Sequence, residues 1–266
     1  MVTSANGISS LRMRREIKIH AKTAFVFGHK LREAMFLTHE VPIMNGQIEV
    51  DGGHFGGRPR SGRIRRRSKP EEIAAKISQQ LSAQNEGKPR PKHRATRANL
   101  RRLKNRRIVF NIRQHNGNKG FGAVRTFVTV INAETAAEVR PHILKMVARG
   151  STIYTDENAA YTWLESAGYL HEVVNHQVEF STLDGVNENQ AEAFFSRLRR
   201  YVLGVAHRIE PKYMLDYAVE MAWREDRRRA TEGQKNTAIA VGLSKPHTSK
   251  WRGYFQSIAA VNFIEP

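Results

Sequence analysis

Three acidic residues, Asp51, Asp156 and Glu192, have the types and positions expected of a metal site. Asp51 ends the extended run IEVD, Asp156 ends the run STIYTD, and Glu192 borders the apolar stripe of a predicted helix. If the two strands are neighbours, both aspartates protrude from one edge of a sheet. Mg²⁺ and Mn²⁺ prefer such oxygen ligands, and two ions can together activate a water or hydroxyl and stabilise the leaving oxygen of a phosphodiester. We therefore expect these three residues to hold two divalent ions.

Each acid also has a purely structural explanation. Asp51 and Gly52 form a common hairpin dipeptide, Asp156 could cap the helix that follows it, and Glu192 could pair with Ser196 or Arg199 on the surface. The spacing of the acids therefore leaves both interpretations open.

The overall charge predicts a polyanionic partner. The 266 residues include 44 Lys and Arg against 25 Asp and Glu, which gives a net charge of +19 and an isoelectric point near 10.6. Nucleic acid is the leading candidate, because binding a phosphate releases counterions. The sequence has neither an apolar run of about 18 residues nor a signal-peptide core near its start, so we expect a cytoplasmic protein without membrane contact. The absence of cysteine excludes disulfides, cysteine nucleophiles and cysteine-ligated zinc.

Most of this charge lies in one segment, at about 58–107, with eighteen Lys or Arg against three Glu. The segment is poor in large apolar residues and contains four prolines, which predicts an insert with one short helix near 71–83. Its cations would bring DNA phosphates towards the acids. The arginines that follow Asp51 most closely are Arg58, Arg60, Arg63, Arg65, Arg66 and Arg67.

The first 40 residues predict a small helical DNA-binding unit. Apolar residues between 9 and 35 suit two or three short helices that break near 17–20. Such a unit could be a helix-turn-helix whose second helix, at about 22–34, presents Lys22, Lys30 and Arg32 to DNA. Many helical hairpins share this pattern, so the pattern alone does not decide whether the unit recognises a DNA sequence.

Residues 41–230 predict an α/β domain with a mixed sheet and helices packed on it, and 231–266 form an extension of unassigned role. An aromatic cluster near Trp251 is expected to pack back on the core. The predicted strands cover 48–51, 108–113, 123–131, 151–155 and 171–175, and the predicted helices cover 135–149, 157–166 and 187–202.

The chain resembles the ISXO-type bacterial insertion-sequence transposases, which are DDE enzymes with an RNase H-like core. The likeness runs from about 9 to 229 and rests on the order of several motifs: KTAFVFGHKLREAM, IEVDGGHFGG, IYTDENAAY, VVNHQVEF, NENQAEAFFSRLRR and KYMLDYAVEMAWREDRRR. Many members begin with a cysteine zinc ribbon, which this chain lacks.

The resemblance implies metal-dependent cleavage and transfer of DNA strands, with the family acids at Asp51, Asp156 and Glu192. Asn189 is the rival third ligand, because some members use asparagine there. Arg199 occupies the usual lysine position, and Arg200 is expected to bind DNA beside it. His176 is expected either near the site or as a structural histidine with satisfied hydrogen bonds. The implied partners are element ends, target DNA and further copies of the chain. The alternative is a DNA-binding relative without catalysis.

Overall fold

The computed structural model describes residues 7–55, 106–117, 122–174 and 189–255. The basic insert from 58 to 105, with its predicted short helix, lies outside them, as does His176.

A five-stranded sheet forms the centre of the described chain. Its order is β3-β2-β1-β4-β5; β2 is antiparallel to both β1 and β3, and β4 is parallel to both β1 and β5. The predicted α/β class and mixed sheet are therefore confirmed. The strands are β1 Gln47–Phe55, β2 Arg107–His115, β3 Ala123–Ile131, β4 Thr152–Thr155 and β5 Leu170–Val173.

Six helices accompany this sheet in the described residues, and they cover both of its faces. They are α1 Ser10–Ile17, α2 Ala21–Leu37, α3 Ala136–Met146, α4 Asn189–Tyr201, α5 Met214–Asp226 and α6 Glu232–Ser244. One apolar core joins Val50 and Phe110 to Val139 and Ile143 of α3. A second core includes Phe55, the apolar stripe of α4 and part of α5. The alternation of side chains along each strand separates these two cores.

β1 is longer than predicted, and its length changes the position of Asp51 within the sheet. The strand does not end at Asp51: it continues to Phe55, and Asp51 lies opposite Asn111 in the middle of the β1–β2 ladder. Gly52 and Gly53 are also paired with β2, so the hairpin interpretation of Asp51 and Gly52 is wrong. Both glycines are paired residues within the strand, and side chains from other segments lie close to their backbone atoms.

The predicted helix at 157–166 is also wrong, because the chain forms two 3₁₀ turns there, at Ala159–Tyr161 and Glu165–Ala167. The apolar spacing resembles that of a helix, but side chains use the carbonyls that a helix would need. Trp163 Nε1 donates to Ala160 O at 2.8 Å, and Thr162 Oγ1 donates to Ala159 O at 3.2 Å.

The N-terminal residues form two helices with a break between Ile17 and Ala21, as predicted. Ser9 caps α1 through a bond from Arg12 N to its hydroxyl, and Lys18 ends the helix in the left-handed conformation, with φ of 53°. α2 packs on α5 and α6, where Ala34 and Met35 meet Trp223 and Ile239.

Arg32 is therefore not placed to bind DNA, contrary to its prediction. Its side chain is 2% exposed, and its Nε donates to Glu220 Oε2 at 2.7 Å. A cation on a basic helix has the same sequence signature whether it faces solvent or a buried carboxylate.

Candidate metal centre

Three carboxylates meet where β4 ends beside the middle of β1: Asp51 of β1, Glu134 of the segment between β3 and α3, and Asp156 directly after β4. One oxygen of each lies within 4.8 Å of an oxygen of the other two, and all three residues are half-buried. The predicted convergence of Asp51 and Asp156 is confirmed.

The strand register explains why the aspartates meet. Glu49 of β1 pairs in parallel with Tyr154 of β4. Asp51 and Asp156 each lie two residues beyond this pair in the same direction, so they extend towards the same side of the sheet. Asp156 Oδ1 also accepts a bond from Asn158 N at 3.1 Å, which fixes the turn after β4.

Glu134 is not among the site residues predicted from the sequence, although its position after a predicted strand could have identified it. It follows the end of β3 by three residues, so it is an acid after a strand, as Asp156 is. The Tyr161 hydroxyl donates to Glu134 Oε1 at 2.6 Å and orients the carboxylate. Glutamate can lie here because residue 52 is glycine: a Cβ at that position would be 2.6 Å from Glu134 Cδ.

The electrostatics of the cluster favour a cation. The pKa of Glu134 is raised to about 7, mainly by burial and also by the charges of Asp156 and Asp51, against the lowering effect of the Tyr161 hydrogen bond. Burial and the charge of Glu134 also raise the pKa of the Tyr161 hydroxyl, so the hydroxyl remains a donor. Three carboxylates this close together repel one another unless a proton or a cation is shared between them.

The donor set fits a hard divalent ion. Mg²⁺ and Mn²⁺ bind carboxylate oxygens and keep positions for phosphate and water. Asn111, opposite Asp51 in the ladder, adds a buried amide whose oxygen and nitrogen have no hydrogen-bond partner among the described residues. This amide provides a further polar group on the face of the sheet that carries Asp51.

Glu192 lies outside the group of three carboxylates. It is exposed in the first turn of α4, and this helix packs on β1 close to Asp51. The contact is tight at Gly53, where a Cβ would lie 2.8 Å from Phe195 Cγ. Glu49 Oε2 accepts a bond from Ala191 N at 2.8 Å and fixes the start of α4. The Asn189 side chain lies outside what the structure describes.

Two of the predicted DNA-binding arginines lie further along α4. The Arg199 guanidinium lies 5.7 Å from the ring centres of both Phe55 and Phe195, at the end of β1 that follows Asp51. Arg200 is exposed, and its Nε donates to Ser196 O at 3.4 Å within the helix. Lys22 is exposed and Lys30 half-buried on α2.

The mixed five-stranded sheet, flanked by helices and carrying acids on its neighbouring strands β1 and β4, defines an α/β domain of the RNase H-like class. The chain belongs to the family of the ISXO2-like transposase domain, whose family model matches residues 81–226. That range contains Glu134, Asp156 and Glu192, whereas Asp51 precedes it. Neither the curated proteins nor the solved structures include a significant match. No helix among the described residues has the length and apolar character to cross a membrane.

Proposed function

We propose that the chain catalyses metal-dependent cleavage and transfer of DNA strands of an insertion sequence. The observation that carries this proposal is the convergence of Asp51, Glu134 and Asp156 in a chain of the transposase family. The net charge of +19 supports DNA as the partner.

Asp51, Glu134 and Asp156 would hold the ion, and Mg²⁺ or Mn²⁺ fits them best. A bound divalent ion supplies Lewis-acid chemistry, because it polarises a phosphodiester and offsets the negative charge that develops as the bond breaks. Tyr161 keeps Glu134 turned towards the aspartates. We retain Glu192 as a further ligand and two as the number of ions, since α4, which carries Glu192, packs on the face of β1 that carries Asp51.

The surrounding cations would hold the DNA. Arg199 is placed beside the end of β1, and Arg200 follows it on the exposed side of α4. The basic insert begins and ends at this part of the sheet, since Phe55 and Arg107 are paired. Its arginines would bind phosphates without reading sequence. Transfer joins two DNA ends to a target, so we propose that several copies act together.

The test is cleavage of supercoiled plasmid with Mg²⁺ or Mn²⁺ by the full chain. Asp51→Asn and Asp156→Asn should each abolish nicking and joining, while DNA affinity stays within about two-fold, because phosphate contacts dominate affinity. Glu172→Gln is the matched control, since this exposed acid lies on β5 outside the cluster. The Glu172→Gln protein should cleave the plasmid as the wild type does.

Cleavage that survives both aspartate substitutions would refute the proposal. Salt-sensitive DNA binding by the wild-type chain, without cleavage under any metal, would instead identify the alternative, a DNA-binding relative that lacks catalysis.

A further inference from the structure

An open groove of about 560 Å³ lies along α2, away from the carboxylates. One wall is the side of α2 between residues 20 and 30, and the other is the turn at 251–255; we call this cavity the α2 groove. Its volume is within the range of about 300–1,000 Å³ that is usual for small-molecule sites. Both walls lie outside residues 81–226, so the groove is not part of the matched transposase domain.

The two walls are fixed to each other. Glu33 of α2 accepts bonds from Ser249 Oγ at 2.5 Å and from Lys250 N at 3.0 Å. Below the groove, Trp251 stacks on His29 with ring centres 4.0 Å apart, and Trp251 is only 2% exposed. The turn at 251–255 is therefore held in place against α2. These contacts confirm the prediction that the aromatic cluster near Trp251 packs back on the core.

The groove combines exposed aromatic rings with cations. Phe27 and Phe255 are 42% and 47% exposed, and both rings border this cavity. Lys22 Nζ lies 5.4 Å from the centre of the Phe255 ring, and Lys30 and Arg252 line the same cavity. Aromatic faces beside a cationic track are the features that bind single-stranded nucleic acid.

From this arrangement, and on the basis of the proposed function, we propose that the α2 groove binds unpaired nucleotides of the DNA substrate. The bases stack on Phe27 and Phe255, and the phosphates pair with Lys22, Lys30 and Arg252. Bases inside a duplex are already stacked on each other, so only an unpaired segment offers its faces to these rings. The ligand is therefore single-stranded DNA such as a frayed or displaced end.

The experiment measures binding of the full chain to a fluorescent oligothymidine and to a duplex of equal length by anisotropy. Salt of about 200 mM weakens all phosphate contacts, in the groove and elsewhere, so that the contribution of base stacking becomes a larger share of the binding. Phe27→Ala and Phe255→Ala should each weaken binding of the single strand at least about five-fold, as expected for loss of one stacked base, and leave duplex binding unchanged. Phe36→Ala is the matched control, because Phe36 is 41% exposed on the same helix but does not line the groove.

A second measurement locates the contact directly. Oligonucleotides with 5-iodouracil, cross-linked by light and mapped by mass spectrometry, should label Phe27, Tyr254 or Phe255.

Three results would each overturn the proposal: equal losses of affinity for single strand and duplex, no loss of affinity in either variant, or cross-links confined to other residues. Binding and cleavage are read separately: failure of plasmid cleavage with an intact stacking effect refutes the proposed catalysis alone, and normal cleavage without a stacking effect refutes the groove alone.

Discussion

Gly52 and Gly53 are neighbours in β1, but their substitution by alanine should affect different properties: metal affinity at Gly52 and fold stability at Gly53. In Gly52→Ala the new Cβ would lie 2.6 Å from Glu134 Cδ. Non-bonded heavy atoms are most stable at about 3.5 Å, so the carboxylate must retreat by roughly 1 Å. That retreat moves Glu134 away from the aspartates or breaks its 2.6 Å bond with Tyr161. Because the new methyl group meets the end of a half-buried side chain rather than backbone, the stability of the fold should change little.

The expected loss is in metal affinity. Displacing groups that orient metal ligands typically costs 10–100-fold in affinity, so we expect Gly52→Ala to bind Mn²⁺ at least about ten-fold more weakly, or about 1.4 kcal/mol. Titration with Mn²⁺, followed by the electron paramagnetic resonance of the free ion, measures this change. Urea unfolding of the metal-free protein measures the folding stability of the same variant in parallel.

Gly53→Ala is the internal control, because its Cβ meets a different group. The methyl would lie 2.8 Å from Cγ of Phe195, a ring that is 2% exposed in the core between α4 and the sheet. Overpacking of this kind costs about 1–3 kcal/mol of stability. A folded Gly52→Ala protein with wild-type Mn²⁺ affinity would refute the assignment of Glu134 to the metal site. Equal losses of stability in both variants would show that Glu134 cannot move as we expect.

Two further predictions concern buried charge. Glu134→Gln should raise the melting temperature of the metal-free protein near pH 8, because it removes one of three carboxylates that repel one another, and added Mn²⁺ should then stabilise it less than the wild type. Thermal scans with and without Mn²⁺ measure both effects, and a lower melting temperature without metal would contradict the repulsion. Glu220→Ala should cost about 3–5 kcal/mol in urea unfolding, because it leaves the buried Arg32 without its carboxylate. The double variant with Arg32→Ala should lose less than the sum of the single changes; strict additivity would show that the two side chains are not coupled.

Local patterns predicted most of the secondary structure correctly. The β-branched runs that became β2 and β3, and the apolar stripe of α4 with Phe194 and Leu198, depend on which residues can cover one face of a strand or helix. The prediction failed at 157–166, where hydrogen bonds from Thr162 and Trp163 compete with the helix, and at the end of β1.

The sequence by itself determined the α/β class, the basic character and the association of Asp51 and Asp156 with strands, because these depend on composition and on short-range periodicity. Only the tertiary structure showed that Glu134 joins Asp51 and Asp156, since the segment after β3 reaches the site through strand pairing and a gap that Gly52 leaves open. The burial of Arg32 was decided in the same way, because its partner Glu220 is 188 residues away in the chain. Contacts between distant segments depend on how the elements pack, and the sequence near either residue does not contain that information.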